Sequence, residues 1–223
     1  MSEKQKMEID VISDVMCPWC YIGKTNLDEA IRQVDDLDVE VRWRPYQLDS
    51  TLPKEGISRS EYLNNKFGGE EGAKQVYGRI KEAGKSLGID FNFDVMEVSP
   101  NTLDAHRVIL WAGGQGPEVQ DKLVDRLFEI FFLEGGHIGR NDILVKAAEA
   151  AGMDGAIVDG LLKGDDDKDK VALEIDHARQ MGVQGVPCFI VDNKFALTGA
   201  QPPDQLVSAM RHAISEREKS IAN

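Results

Sequence analysis

The chain has 223 residues, of which 42% are hydrophobic and 29% charged, with a formal net charge of −13. This composition is typical of a soluble globular protein with one core, with or without a large insertion. The acidic charge repels phosphate backbones and anionic lipids, so we expect neither nucleic acid nor a membrane among the partners. No apolar run approaches the ~20 residues of a membrane-spanning helix.

The first eight residues are polar and lead directly into an apolar strand, without the apolar segment of a secretory signal. We therefore expect the protein in the cytoplasm. Structural disulfides are rare in that reducing compartment. A close pair of cysteines there indicates redox catalysis, redox sensing or metal binding.

The first 49 residues are predicted to form a strand–helix–strand unit. An apolar strand covers residues 7–15, and apolar residues at helical spacing follow from position 21 to 34. Val39, Val41 and Trp43 then alternate with charged residues, which is the period of a half-buried strand. Together these elements make a βαβ unit of ordinary length.

Cys17-Pro18-Trp19-Cys20 lies where the first strand runs into this helix. One helical turn places both sulfurs on the same side, close enough to form a disulfide. Cys17 lies at the helix N-terminus, where unpaired N–H groups and the positive end of the helix dipole favour a thiolate. Pro18 suits the first turn because its missing N–H would be unpaired there. The motif predicts a dithiol/disulfide redox site.

Residues 50–182 are predicted to be almost wholly helical. Ser58 and Glu61 form a capping box that opens one helix. Ser99-Pro100 predicts the start of another, which runs through Trp111.

The last segment returns to strands at residues 188–191 and 195–198, joined by Asp192-Asn193-Lys194, and ends in a helix from Pro203 to about Lys219. The fold class is therefore α/β, a thioredoxin fold (β-α-β … β-β-α) with an all-helical insertion. We assign residues 1–49 and 183–223 to the thioredoxin-fold domain and residues 50–182 to the insertion.

Val186-Pro187 stands immediately before the first strand of the hairpin. X-Pro bonds are the only peptide bonds for which the cis form has a modest free energy, ~0.5–1 kcal/mol. A cis bond here would turn the chain and present the Val186 backbone to a substrate. An ordinary trans proline at a strand entry is the alternative.

The chain resembles the DsbA family of thioredoxin-fold oxidoreductases, and in particular its cytoplasmic FrnE-like branch. The matching segments are DVMCPWCYIG at 14–23, NTLDAHR at 101–107, FFLEG at 131–135, GVP at 185–187 and GAQP at 199–202. The resemblance implies that Cys17 is the exposed nucleophile, Cys20 the resolving thiol and Pro187 a cis proline. It also implies a protein disulfide oxidoreductase.

The expected substrate-binding residues surround the two cysteines. Pro18, Trp19, Val186 and Pro187 belong to the motifs themselves, and the resemblance places the helix that carries Asn101 and His106 over the active site. We expect protein or small-molecule thiols and disulfides as partners, with glutathione as a candidate thiol. No cofactor beyond the redox disulfide is expected. The physiological substrate, the direction of reaction and the choice between monomer and homodimer remain open.

Three alternatives accompany this interpretation. The same family includes glutathione-dependent 2-hydroxychromene-2-carboxylate isomerases and kappa-class glutathione transferases, which have a serine at the position of Cys17. A redox-gated binding or chaperone-like module is the second alternative. Half of a zinc site is the third, although tetrahedral zinc usually needs a second pair of ligands; we expect no metal. Cys188 is either a small core residue or a third thiol near Cys17.

Overall fold

The structure is a computed structural model that describes residues 4–222. Residues 1–3 and 223, at the two ends of the predicted thioredoxin-fold domain, lie outside the described part. A four-stranded sheet forms the centre of the fold, in the order β2-β1-β5-β6. Its strands are β1 (Gln5–Ser13), β2 (Leu37–Pro45), β5 (Cys188–Val191) and β6 (Phe195–Thr198). β1 pairs parallel to β2 and antiparallel to β5, and β5 pairs antiparallel to β6.

Helices follow the predicted order along the chain. The helices of the described part are α1 (Pro18–Arg32), α2 (Arg59–Phe67), α3 (Glu70–Lys85), α4 (Leu103–Gly113), α5 (Pro117–Phe132), α6 (Asn141–Ala150), α7 (Gly155–Lys163), α8 (Lys168–Gln180) and α9 (Pro203–Ala222). α1 connects the parallel strands, and the helices from α2 to α8 form the connection from β2 to β5. This is the predicted thioredoxin fold with a helical insertion.

The middle of the chain is not wholly helical. Two short strands, β3 (Ile57–Ser58) and β4 (Val98–Ser99), pair antiparallel within it. Ser99 therefore lies in a strand, and α4 begins at Leu103, later than the predicted start at Ser99-Pro100. Thr102 is the N-cap of α4, so Ser99 lies three residues too early in the chain to cap the helix.

The two faces of β1 have different surroundings. Met7, Ile9 and Val11 belong to the main core, which also contains Leu27 and Ala30 of α1. A smaller cluster on the other face contains Ile12, with Tyr46, Ala178 and Cys188. This alternation follows from the period of two along a strand. The sheet thus has one face against α1 and the other against α8, and the redox motif follows directly at the end of β1.

No helix among residues 4–222 is long and apolar enough to cross a membrane.

Candidate active site

Cys17 occupies the N-cap of α1, and Pro18 is the first helical residue, as the sequence predicted. The Cys17 amide donates to the Asp14 carbonyl (2.9 Å), and the Cys20 amide donates to the Cys17 carbonyl (3.0 Å). The Cys17 side chain makes no capping hydrogen bond to the helix. Its sulfur is therefore left free for an interaction outside α1.

That interaction is with the loop before β5. The Cys17 thiol donates to the Val186 carbonyl, with Sγ and O 3.7 Å apart. The expectation of an exposed Cys17 is wrong for this structure, because the side chain is only 4% exposed. Cys17 belongs to the buried residues of the main core, and its sulfur contacts the Val186 carbonyl.

The Val186-Pro187 peptide bond is cis, as predicted. The Pro187 ring lies against α1 at Gly23, where an added Cβ would be 2.8 Å from Pro187 Cγ and 3.1 Å from the end of the Phe189 ring. Only a residue without a side chain allows the helix and the proline loop to approach this closely. Gly23 therefore permits the short distance between α1 and the loop that contains Pro187.

Cys20 lies beneath Cys17 and is completely buried. Burial raises the pKa of its thiol well above the ordinary value, and the hydrogen bond and negative charge of Cys17 raise it further. The Ser13 hydroxyl and the Asp14 backbone N–H act in the opposite direction and lower the pKa of the Cys20 thiol. Both cysteines are buried in this structure, and Cys17 is the one whose sulfur contacts the Val186 carbonyl.

A buried polar group lies behind the cysteines. Asp14 is completely buried, and its carboxylate accepts hydrogen bonds from the amides of Met16 (3.3 Å) and Leu48 (2.8 Å). The Nε2 atom of His106 lies 3.4 Å from Asp14 Oδ1, without a hydrogen-bond partner of good geometry. His106 thus faces the segment that leads into Cys17 from inside the core, and its substrate-binding role stays a prediction.

Asn101 holds the loop that follows β2. Its Oδ1 accepts from Gln47 Nε2 (3.0 Å) and from the Leu103 amide (2.9 Å), while its Nδ2 donates to the Leu52 carbonyl (2.6 Å). These bonds engage both ends of the side-chain amide. A contact between Asn101 and substrate remains a prediction, and the contacts seen here position the loop of residues 47–52.

Trp19, in the redox motif, and Tyr62, in α2, are two aromatic residues that differ in exposure. Trp19 is 40% exposed, as expected for an aromatic residue between the two cysteines. Tyr62 of α2 lines a cleft of about 400 Å³ together with Leu48, Leu52 and Lys66. Burial raises the pKa of Tyr62 to about 12, and the negative charges of Asp49, Asp14 and Cys17 contribute in the same direction. Neither Cys17 nor Cys20 is among the residues that line this cleft.

Cys188 follows Pro187 and is buried on the far face of the sheet, in the small cluster with Ile12 and Ala178. Burial raises the pKa of its thiol above the ordinary value. These surroundings agree with the interpretation as a core residue. In the part of the chain that the structure describes, no three acidic, histidine or cysteine side chains are arranged to hold a metal ion.

Two features of the site had no assigned role in the sequence. Ser13 is the last residue of the apolar strand β1, and Asp14 follows it; both are buried, which is unusual for two consecutive polar residues. Lys24 is also buried, and its Nζ lies 2.8 Å from Asp28, 2.9 Å from Asp125 and 3.4 Å from Asp121. The Asp at i+4 was visible in the sequence, but the two carboxylates from α5 were not.

A Cys-x-x-Cys pair at a helix N-terminus, in contact with a cis-proline loop at one end of a four-stranded sheet, is the arrangement of a thioredoxin-fold thiol protein. Residues 8–211 match the DSBA-like thioredoxin domain family, and the chain belongs to that family.

Individual proteins agree with the family assignment. The Bacillus subtilis protein YwbO, whose function is uncharacterized, is 31% identical over 218 residues, which cover 96% of this chain and 98% of that protein. A crystal structure of a probable DsbA oxidoreductase from Streptomyces coelicolor is 27% identical, with a TM-score of 0.85, covering 94% of this chain and 91% of the other. A 2-hydroxychromene-2-carboxylate isomerase structure shares the fold, with a TM-score of 0.72, 15% identity and coverage of 95% and 98%.

Proposed function

We propose that the protein is a cytoplasmic protein disulfide oxidoreductase of the FrnE-like branch, with Cys17 as nucleophile and Cys20 as resolving thiol. The observation that carries the proposal is the position of the Cys17 sulfur. Cys17 lies at the N-cap of α1, and its sulfur contacts the Val186 carbonyl, while Cys20 is completely buried in the first turn of the helix. A substrate disulfide that replaces this carbonyl contact comes within reach of both sulfurs in turn.

In the reducing direction, the Cys17 thiolate attacks one sulfur of the substrate disulfide and expels the other as a thiolate, which takes up a proton. The product is a mixed disulfide between Cys17 and the substrate. Cys20 then loses its proton and attacks the Cys17 sulfur, and the second substrate thiolate leaves and is protonated. The substrate disulfide has gained two electrons, and the Cys17–Cys20 pair has lost two.

The reverse sequence oxidises a substrate dithiol and leaves Cys17 and Cys20 reduced. Which direction operates depends on the reduction potential relative to the compartment, and related pairs span roughly −270 to −120 mV. Pro18 and Trp19 add no charge to the site. We therefore expect a potential between these extremes, which equilibration with glutathione would measure.

The surroundings of the sulfurs support protein or small-molecule disulfides as substrates. Trp19 offers an exposed apolar surface beside Cys17. A separate cleft of about 400 Å³, lined by Tyr62, Leu48 and Leu52, has a volume that suits a short peptide segment or a small thiol such as glutathione. A cytoplasmic location agrees with the three cysteines of the chain, because Cys188 leaves no second pair for a structural disulfide.

Insulin reduction by wild type, Cys17→Ser, Cys20→Ser and Cys188→Ser tests the proposal. Cys17→Ser should abolish turnover, and Cys20→Ser should accumulate mixed disulfides that mass spectrometry identifies. Cys188→Ser is the matched control and should keep turnover near the wild-type rate. Equal turnover in wild type and Cys17→Ser would refute the oxidoreductase.

Two outcomes would favour the alternatives. Glutathione-dependent conversion of a hydroxychromene carboxylate that survives Cys17→Ser would indicate an isomerase. Binding of unfolded proteins that changes with the redox state of Cys17 and Cys20, without turnover, would indicate a redox-gated binding module.

A further inference from the structure

A cavity of about 510 Å³ lies in the helical insertion. Its lining comes from α2, α3 and the segment around the one-turn helix Phe93–Val95. The apolar part of the lining consists of Leu63, Ala73, Tyr77, Phe93 and Met96. Sites for small molecules have volumes of this size and mostly apolar linings with a few polar groups. Neither Cys17 nor Cys20 lines the cavity, so it is separate from the redox motif.

The charged side chains of this lining are mainly cations, although the chain has a net charge of −13. They are Arg59, Lys74 and Lys81, with the carboxylate of Asp94. Lys81 lies 3.3 Å from Asp94. Lys74 lies 3.7 Å from Glu71. Among the described side chains, none supplies a carboxylate within 4.0 Å of the Arg59 guanidinium.

Arg59 differs in this respect from comparable arginines. It is half-buried, and charged groups that are removed from water are normally paired. The other buried or half-buried arginines each pair with a carboxylate: Arg42, Arg44, Arg107, Arg126 and Arg217. Arg59 is also the first residue of α2, where the positive end of the helix dipole makes a cation unfavourable. Neither ion pairing nor the stability of α2 therefore accounts for a cation at this position.

Neutral groups hold the Arg59 guanidinium in place. One Nη atom donates to Ser99 Oγ (3.1 Å), and the other donates to the Tyr77 hydroxyl. The central carbon lies 5.0 Å from the Tyr77 ring centroid and 5.7 Å from that of Tyr62. Burial raises the pKa of both phenols, so neither ring supplies a counter-charge near neutral pH. The guanidinium has further N–H groups, and a carboxylate can accept two of them side by side.

Gly78 of α3 leaves open space at the cavity. At Gly72, an added Cβ would clash with the Phe67 carbonyl. At Gly84, it would clash with the Phe91 ring. At Gly78, an added Cβ would meet nothing within 4 Å, and this residue lines the cavity. Glycine is unfavourable inside a helix, and packing does not require one at Gly78. The missing side chain keeps the cavity open.

We propose that this cavity binds a small carboxylate with an apolar body, of the kind that a medium-chain fatty acid presents. The carboxylate accepts hydrogen bonds from Arg59, and the body packs on the apolar lining. The rings of Tyr77 and Phe93, whose centroids are 4.4 Å apart, form the apolar wall beside the guanidinium. This site goes beyond the proposed function and does not depend on it.

Isothermal titration calorimetry of the full chain with octanoate tests the proposal. We expect saturable binding at one site. Acetate lacks the apolar body and 1-octanol lacks the charge, so each should bind at least roughly tenfold more weakly than octanoate. No saturable binding of octanoate at millimolar concentration would overturn the proposal. Binding of 1-octanol as tightly as octanoate would also overturn it, because Arg59 would then contribute nothing.

Two variants locate the binding. Arg59→Gln should weaken octanoate binding roughly tenfold and leave 1-octanol binding nearly unchanged. Gly78→Leu retains Arg59 but fills the cavity, so it should weaken the binding of both molecules. Gly160→Leu in α7 is the matched control, because an added Cβ at Gly160 also meets nothing within 4 Å and this residue does not line the cavity. It should bind octanoate as wild type does.

Thermal unfolding shows whether each variant is folded. If Arg59→Gln does not fold, the comparison of Gly78→Leu with Gly160→Leu still decides the location. Equal octanoate affinity in these two leucine variants would place the binding elsewhere and overturn the proposal.

The outcome is independent of the redox chemistry. Cys17→Ser should bind octanoate as tightly as wild type, since Cys17 does not line the cavity. If Cys17→Ser retains insulin reduction while Gly78→Leu loses octanoate, the proposed function fails and the carboxylate site stands. If turnover requires Cys17 but octanoate does not bind, the oxidoreductase stands and the carboxylate site is refuted.

Discussion

Two buried polar groups lie at different points along α1, and they use their hydrogen bonds differently. At Lys24, one ammonium group is paired with three carboxylates, from Asp28, Asp121 and Asp125. Behind the cysteines, the Ser13 hydroxyl and the His106 Nε2 atom lack partners of good geometry. The first group is satisfied, and the second holds unused hydrogen-bonding capacity.

The difference corresponds to what each region does. Burial lowers the pKa of Lys24, but the three carboxylates outweigh burial and hold the pKa above its ordinary value. Lys24 thus stays charged and ties α1 to α5. Near the sulfurs the protonation state changes during the proposed reaction, and a fully paired network would favour one state only. A side chain whose hydrogen-bonding groups are all paired is suited to hold two helices together. A polar group without a partner can take up or give a hydrogen bond when a neighbouring group changes its protonation state.

Lys24→Met should have the largest effect on stability. Methionine retains apolar length but leaves three neighbouring carboxylates without their cation. Removing one partner of a buried ion pair ordinarily costs about 3–5 kcal/mol. We expect about 2–3 kcal/mol in the free energy of unfolding, because the carboxylates are 37–43% exposed and solvent screens them. Denaturant unfolding measures the change.

The control for this change is Lys163→Met, which removes an exposed lysine paired with Asp159 at i+4. It should change the free energy of unfolding by no more than ~0.5 kcal/mol. Similar losses of unfolding free energy in Lys24→Met and Lys163→Met would mean that Lys24 contributes no more to stability than an ordinary surface ion pair. Cys17-dependent turnover should persist in folded Lys24→Met, since Lys24 does not contact the sulfurs.

Asp14→Asn should have an intermediate effect. The carboxylate accepts from two backbone amides, and an asparagine can present only one oxygen to them. One buried N–H then faces an NH₂ group, at a cost of about 1–2 kcal/mol. Thermal or denaturant unfolding at neutral pH gives the value, with Asp159→Asn on the exposed surface as control. A loss no larger than that of the control would mean that Asp14 does not hold the segment before Cys17.

Asp125→Asn should have the smallest effect on the free energy of unfolding, and that effect should appear as a change in its dependence on pH. Burial raises the pKa of Asp125 to about 6, and the neighbouring carboxylates of Asp121 and Asp28 add to the rise against Lys24. The folded state therefore holds a proton between about pH 4 and pH 6 that the unfolded state has lost. This group makes stability fall as pH rises through that range.

Asp125→Asn should remove that part of the slope. The difference is expected to stay below ~1 kcal/mol, because the carboxylate is 43% exposed. Unfolding free energies of wild type and variant at several pH values test it. Parallel pH profiles for the two proteins would contradict the expected titration.

Elements with strong local signals were predictable from the sequence. Ser58 caps α2, and its Oγ accepts from the Glu61 amide (3.2 Å), as the capping box required. Asp192 and Asn193 both adopt left-handed backbone conformations in the hairpin turn, which their residue types favour. Cys17 at the N-cap and the cis bond before Pro187 were also predicted and are confirmed.

Features that depend on distant partners were not predictable in this way. The β3–β4 pair joins Ile57 to Ser99 through two residues on each strand, too few for a periodic pattern. The neighbours of Lys24 in the sequence do not indicate that it is buried, because Asp121 and Asp125 reach it from α5. The burial of Ser13 depends on which face of β1 lies under α1, which only the assembled sheet defines.

The register of the sheet also has an evolutionary consequence. β2 ends at Pro45 opposite Ser13, and β5 begins at Cys188 opposite Ile12. The helical segment between them thus leaves and re-enters the sheet at the end that carries the redox motif. Insertions or deletions in the turns between its helices leave the strands in place, whereas α5 is tied to β2 by the bonds of Gln120 to the Trp43 backbone. Variation in those turns can therefore change what surrounds that end of the sheet while the register of the strands is kept.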